Sequence, residues 1–155
     1  MKIITLFTIV AVFTTSCGFK VLKQSELQDF YISSIETTGD SRINFSLRNK
    51  LIIQAKDESK KEIKLNINTD KSKSIKEKNS SNEITKYLIK INLLLKIEDE
   101  KELIKTLKIS DQLDYNVGTQ YSQTINNERQ AIKAITNKLA EKIIKEISLI
   151  RINDL

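Results

Sequence analysis

The 155-residue sequence contains no histidine and no proline, a single cysteine and only three glycines. Without histidine, the commonest general base and metal ligand is missing, so neither a histidine proton relay nor a Cys/His metal site can be built. One cysteine cannot form a disulfide framework within the chain. The acidic residues are mostly interleaved with lysines, as on solvated faces, and no isolated carboxylate pair stands out. The chain therefore reads as a non-enzyme with no metal or cofactor. The lack of proline leaves turn formation to Gly, Asn, Asp and Ser.

What is present first is a leader. Lys2 is the only charge from Met1 to Ser16, and Ile3 to Phe13 is apolar apart from Thr5 and Thr8. The small residues Thr14, Thr15 and Ser16 follow, then Cys17-Gly18. A basic tip, a short apolar run and a small-residue exit form a secretory signal peptide. The run is too short to cross a bilayer, which needs roughly 20 residues. The cysteine at its end resembles the lipidation site of bacterial lipoproteins. That resemblance implies removal of residues 1–16 and an acylated Cys17 at the mature N-terminus. The position three before the cysteine, usually leucine, holds Thr14. Residues 17–24 would then be a lipidated tether and residues 25–155 one domain. Buried acyl chains contribute about 0.8 kcal/mol per methylene, so several chains anchor firmly.

Removing residues 1–16 leaves 139 residues, enough to bury a core. It also takes the net charge from +6 to +5 with the loss of Lys2. A moderately basic exported chain suits an anionic partner such as lipid phosphate, and the export signal argues against nucleic acid. A lysine-rich codon usage would give the same excess.

The periodicity predicts six elements. Asp29–Glu36 is rich in β-formers, with Phe30 and Ile32 expected on one face and Tyr31 and Ile35 on the other. Gly39-Asp40-Ser41 ends it, with Asp40 or Ser41 capping a helix over 42–56. That helix carries Ile43, Leu47, Leu51 and Ala55 as an apolar stripe, widened by Phe45 and Ile52. Ile63, Leu65 and Ile67 alternate with polar residues over 62–68, as in a half-buried strand. The polar stretch 69–82 reads as a solvated loop, and its Lys71, Lys73, Lys76 and Lys78 as a mobile basic hairpin tip able to touch phosphate. Residues 83–96 show the clearest period of two, with Tyr87, Ile89, Ile91, Leu93, Leu95 and Ile97 on one face. A turn at 99–101 leads to a strand over 102–110, giving an antiparallel hairpin. Residues 111–123 read as a connection, and 124–150 as a long helix capped by Thr124 or Asn126. Its stripe is Ile125, Ile132, Ile135, Leu139, Ile143 and Ile147, and the tail 151–155 is expected to fray. The order β-α-β-β-β-α makes an α+β two-layer sandwich, with two helices on one face of a four-stranded, mainly antiparallel sheet.

Three features resemble the LptE family, the lipopolysaccharide-assembly lipoproteins of the Gram-negative outer membrane. They are the start Cys17-Gly18-Phe19, the order of elements, and the run Tyr115-Asn-Val, Tyr121-Ser, Glu128-Arg-Gln-Ala131, Leu139-Ala140-Glu-Lys-Ile143. The resemblance implies a periplasm-facing lipoprotein of the outer membrane. Such a protein plugs the large β-barrel LptD and helps deliver lipopolysaccharide to the cell surface. It catalyses nothing. On this reading Lys71, Lys73, Lys76 and Lys78 are the candidate contacts to lipid phosphates. The rival reading is a free-standing periplasmic lipoprotein that binds lipid or another amphiphile, which would need a deep apolar cavity.

Overall fold

The first strand described already departs from strict alternation. In the computed structural model, which describes residues 30–51, 60–99 and 102–150, β1 (Phe30–Gly39) pairs in parallel with β2 (Lys61–Lys78). The register shifts between Ile32 and Ser34, leaving Ser33 as an extra residue whose Oγ donates to the Ile63 carbonyl at 3.3 Å. An extra residue moves every later side chain to the opposite face. Ile35 therefore joins Phe30 and Ile32 in the core, and Tyr31 alone takes the other face, donating its hydroxyl to Glu62. The expected pairing of Tyr31 with Ile35 is corrected by that bulge. The leader, Cys17, the tether, the first helix beyond Leu51, residues 100–101 of the turn and the tail 151–155 lie outside the described residues.

Helix α1 (Ser41–Leu51) starts where Asp40 Oδ1 accepts the Arg42 and Ile43 N–H groups, each at 3.1 Å. This is the predicted cap, worth about 1 kcal/mol. Ile43, Leu47 and Leu51 are buried as the stripe requires. Phe45, expected to widen that stripe, is instead 70% exposed, and Asn44 takes the buried flank. Arg48 donates to the Ile35 carbonyl at 2.7 Å, drawing α1 onto β1.

β2 runs on through the stretch expected to be a loop and pairs antiparallel with β3 (Ile84–Glu98). The hairpin turn is confined to residues 79–83. There Asn79 Oδ1 accepts the N–H groups of Ser81 and Glu83, and Asn82 takes a left-handed φ of +63°. β4 (Leu103–Asn116) completes the sheet in the order β1-β2-β3-β4. It reaches well past the expected end at Ser110, because Asp111–Asn116 pair with Lys86–Ile91.

Helix α2 (Tyr121–Ile150) begins three residues before the expected start. Thr124 and Asn126 do not cap it. The Thr124 hydroxyl accepts the Gly118 N–H at 2.9 Å, and Asn127 donates to the Asn116 carbonyl at 2.9 Å, so this turn is tied back to the end of β4.

Both helices cover one face of the mixed sheet, and one core lies between the layers. It joins Ile43, Leu47 and Leu51 of α1, the odd-numbered apolar residues of β2 and β3, and Ile135, Leu139, Ile143 and Ile147 of α2. Each such fully buried Leu or Ile contributes about 1.5–3 kcal/mol. On the opposite face stand Lys64, Asn68, Lys90, Lys96, Lys108 and Gln112, all exposed. Two ion pairs clamp α2 to β4: Lys142–Asp111 and Lys105–Glu146, both at 3.1 Å. Among the described residues no helix is long and apolar enough to cross a membrane.

The parallel ladder ends at Gly39, opposite Thr69. Gly39 has φ of +97°, and a Cβ there would collide with the Thr69 carbonyl oxygen. Gly39→Ala therefore combines backbone strain with a clash against main chain, and should cost at least about 2 kcal/mol. Urea unfolding of wild type and variant checks this; an unchanged midpoint would refute it.

Candidate functional site

The helix face of β2 changes character along its length. Ile63, Leu65 and Ile67 are buried, Thr69 is buried but polar, and Lys71 and Lys73 follow in the same alternation. Thr69 sits in a knot of hydrogen bonds. Its Oγ1 accepts the Asp40 N–H at 3.1 Å and lies 2.8 Å from Asn44 Oδ1 and 3.3 Å from the Thr38 carbonyl. Asn44 Nδ2 donates to that same carbonyl at 3.0 Å. Buried polar groups require such partners, and here they fix the corner between β1 and α1.

Beyond this corner the four predicted lysines separate into two kinds. Lys71 forms an ion pair with Asp40 at 2.9 Å, and Lys73 one with Glu128 of α2 at 2.7 Å. Lys76 and Lys78 lie at the far end of β2, where Lys78 donates to Asn82 Oδ1 at 2.8 Å. The four therefore belong to a strand, two of them ion-paired on its helix-facing side, and do not form one mobile tip. Polar composition suggested a loop, but pairing with the apolar β3 imposes extended structure on this stretch. Cys17, the predicted lipidation site, is outside the described residues.

Around Lys73 the structure assembles groups that charge density alone does not reveal. Its ammonium lies 4.2 Å from the centroid of the Tyr87 ring and 5.4 Å from that of Tyr115. The two rings stack across β3 and β4 with centroids 5.8 Å apart. Tyr115 donates its hydroxyl to Glu128 Oε2 at 2.7 Å, so this carboxylate oxygen receives both Lys73 and Tyr115. Tyr115 and Glu128 belong to the run that resembles the LptE family; the signal for both was present, but not their bond.

The titrations follow from this geometry. Partial burial alone would raise the Glu128 carboxyl, but hydrogen bonds from Lys73 and Tyr115 outweigh it and hold the group below its ordinary value. Burial likewise opposes Lys73 ionisation, yet Glu128 and Tyr115 push the ammonium well above the usual lysine range. Asp40 and Asp111 are also held low: burial opposes this, while Lys71 and the α1 N–H groups offset it at Asp40, and the Gln112 N–H and Lys142 at Asp111.

Above the corner, residues of α1 and α2 line a cleft of about 580 Å³. Ile43, Ile125 and Ile132 provide apolar lining, and Tyr121 stands at its margin, 81% exposed. Arg42, Arg129 and Lys133 also line it and have no carboxylate partner among the described residues. The cleft offers an excess of positive charge beside apolar surface, with Asp40 and Glu128 as its carboxylates. Among the described residues no group of three or more acidic, His or Cys side chains could hold a metal ion.

Carboxyl groups held low in the folded state stabilise it above their ordinary values near pH 4, and that stability drains as pH falls through the lowered values. The urea midpoint should therefore fall steadily from about pH 5 to about pH 2, and Glu128→Gln should flatten that slope. Parallel profiles for the two proteins would exclude a role for the Lys73–Glu128–Tyr115 cluster. Lys73, shifted the other way, keeps its charge through pH 10, so its pairing should survive mild alkali.

No protein-family model and no curated protein matches the sequence. Solved structures do resemble this one. Rare lipoprotein B from Shewanella oneidensis superposes with a TM-score of 0.58 at 14% identity, covering 77% of this chain and 97% of that one. A minor lipoprotein from Acinetobacter baumannii gives 0.59 at 15% identity, covering 78% and 92%. An uncharacterized lipoprotein B from Nitrosomonas europaea gives 0.54 at 14% identity, covering 77% and 83%. The α+β sandwich built here, with its order β-α-β-β-β-α, is thus the fold of the rare and minor lipoproteins.

Proposed function

We propose that this protein is an outer-membrane lipoprotein of the LptE type, anchored through Cys17. In this role it seats in the lumen of an LptD-like barrel and assists lipopolysaccharide assembly at the cell surface. The observation that carries the reading is the fold shared with rare lipoprotein B over nearly all of that chain's length. The Cys17-Gly18-Phe19 start and the Tyr115–Glu128 bond within the family-like run support it.

The physical role is shape-filling. The polar outer face of the sheet suits a barrel interior that is itself polar and wet. The volume beneath the helices is filled by Ile43, Leu47, Ile135, Leu139 and Ile143, each 1% exposed or less, which favours a plug over a carrier with a deep apolar chamber. Lipid phosphates would meet the lysines of β2 as point charges. Lys76 and Lys78 are the foremost of these, because Lys71 and Lys73 are ion-paired with Asp40 and Glu128 whereas Lys78 meets the neutral Asn82 amide.

Affinity purification of the tagged full-length protein from its native outer membrane tests the proposal. A large β-barrel protein should co-purify at equal stoichiometry, together with lipopolysaccharide. Recovery of the lipoprotein alone, or its release as an unacylated soluble protein, would refute it. Lys76→Gln with Lys78→Gln should lower the retained lipopolysaccharide while leaving the barrel bound; unchanged retention would exclude these two lysines as the contact.

A further inference from the structure

β1 and β2 are of unequal length, and the difference creates an edge. β1 covers β2 only as far as Thr69 and then turns through Asp40 into α1. β2 continues to Lys78, paired on its other side with β3, and Asp70–Lys78 are all exposed. In an antiparallel pair, alternate residues point their N–H and C=O groups away from the partner. Along Asp70–Ile75 those groups alternate regularly, the register shifting only beyond Ile75, and along Asp70–Lys78 they meet no other strand among the described residues. A short slot thus lies in the sheet plane, directly beyond the end of β1.

The cleft opens on the helix side of this same slot, since Lys71 and Asp40 line it. Side chains of a strand added along Asp70–Lys78 would point alternately toward the cleft and toward the outer face. Those on the cleft side would meet Ile43, Ile125 and Ile132 together with Arg42, Arg129 and Lys133, cations with no carboxylate partner among the described residues, while the cleft carboxylates Asp40 and Glu128 are already paired with Lys71 and Lys73. Main-chain hydrogen bonds and a pocket for alternate side chains are the two requirements of recognition by strand addition. The lysines along the edge repel a second copy of themselves, the usual protection of an open edge, and so leave it selective for the opposite charge.

We infer that the Asp70–Lys78 edge of β2 docks an extended acidic segment of another polypeptide as a fifth strand, its carboxylates directed to Arg42, Arg129 and Lys133. The inference goes beyond the barrel reading and does not depend on the partner being a barrel.

The probe is a peptide of roughly eight residues alternating valine and glutamate, the length of an ordinary strand, added to the isotope-labelled full-length protein in detergent. Amides of Asp70–Lys78 should shift, and alternate ones should exchange more slowly with solvent. Of the two peptides methylated on alternate backbone nitrogens, the one whose four methyl groups face β2 loses about four hydrogen bonds and should bind at least tenfold more weakly, while the other should bind as before. Arg129→Glu with Lys133→Glu, both on the exposed side of α2, should weaken it by a similar factor while leaving the fold intact. Equal binding by the two methylated peptides would overturn the proposal. So would equal binding by a valine–glutamine peptide, shifts confined to α2, or pairing of the edge with a second copy of the chain.

Discussion

The placement of Thr69 governs everything above it. One buried hydroxyl accepts from the first residue past β1 and faces the Thr38 carbonyl of β1 and the Asn44 side chain of α1. If the parallel ladder ran further, α1 would start higher and close over Lys71 and Lys73. Because it stops at Gly39, the chain must leave the sheet plane in one residue, and the left-handed φ there makes glycine the residue that can do so. The corner therefore sets three things together: where α1 begins, how far β2 runs unaccompanied, and where the cleft opens.

The same alternation that builds the core also places charge. Along β2 the helix-facing positions pass from Ile63 to Ile67, then Thr69, then Lys71 and Lys73. β3 and β4 make the corresponding change at Tyr87 and Tyr115, and α2 makes it between Leu139 and Glu128. β2 turns polar at Thr69 and Lys71, whereas β3 stays apolar opposite them through Ile91 and Ile89, so the molecule has a drier and a wetter end with a stepped boundary between them. Aromatic rings mediate the boundary, since their faces accept the Lys73 ammonium while their bodies continue the packing.

What the sequence made legible follows from this division. Ile63–Ile67 and Tyr87–Ile97 were readable as strands because burial on one side only writes a period of two into composition. The sandwich and its element order followed from that pattern. Residues 70–78 were not readable, because a strand that is wet on both faces carries no hydrophobic alternation; its extended form comes from β3, which is remote in sequence. The bulge at Ser33 was equally silent, since an inserted serine resembles any polar position in a strand. The site was half legible. Its lysines were visible as density, but Asp40, Glu128 and the two tyrosines that partner or flank them lie far apart along the chain and become a cluster only in the fold.

This arrangement also separates stability from recognition. The residues that hold the layers together are mostly buried Ile and Leu, reaching as far as Ile89 on β3, with the Lys142–Asp111 and Lys105–Glu146 pairs beside them, so most of their contribution is insensitive to salt. The groups above the Thr69 corner are ionised, partly solvated and paired through single oxygens, where each bond is individually modest and open to exchange with an incoming charge. α2 spans both regions, anchored by Ile143 and Ile147 at one end and carrying Glu128, Arg129 and Lys133 at the other. A rigid helix fixed at its dry end presents those cations at a constant spacing from the β2 edge. Charge on that surface can then exchange solvent for another group without any change to the core.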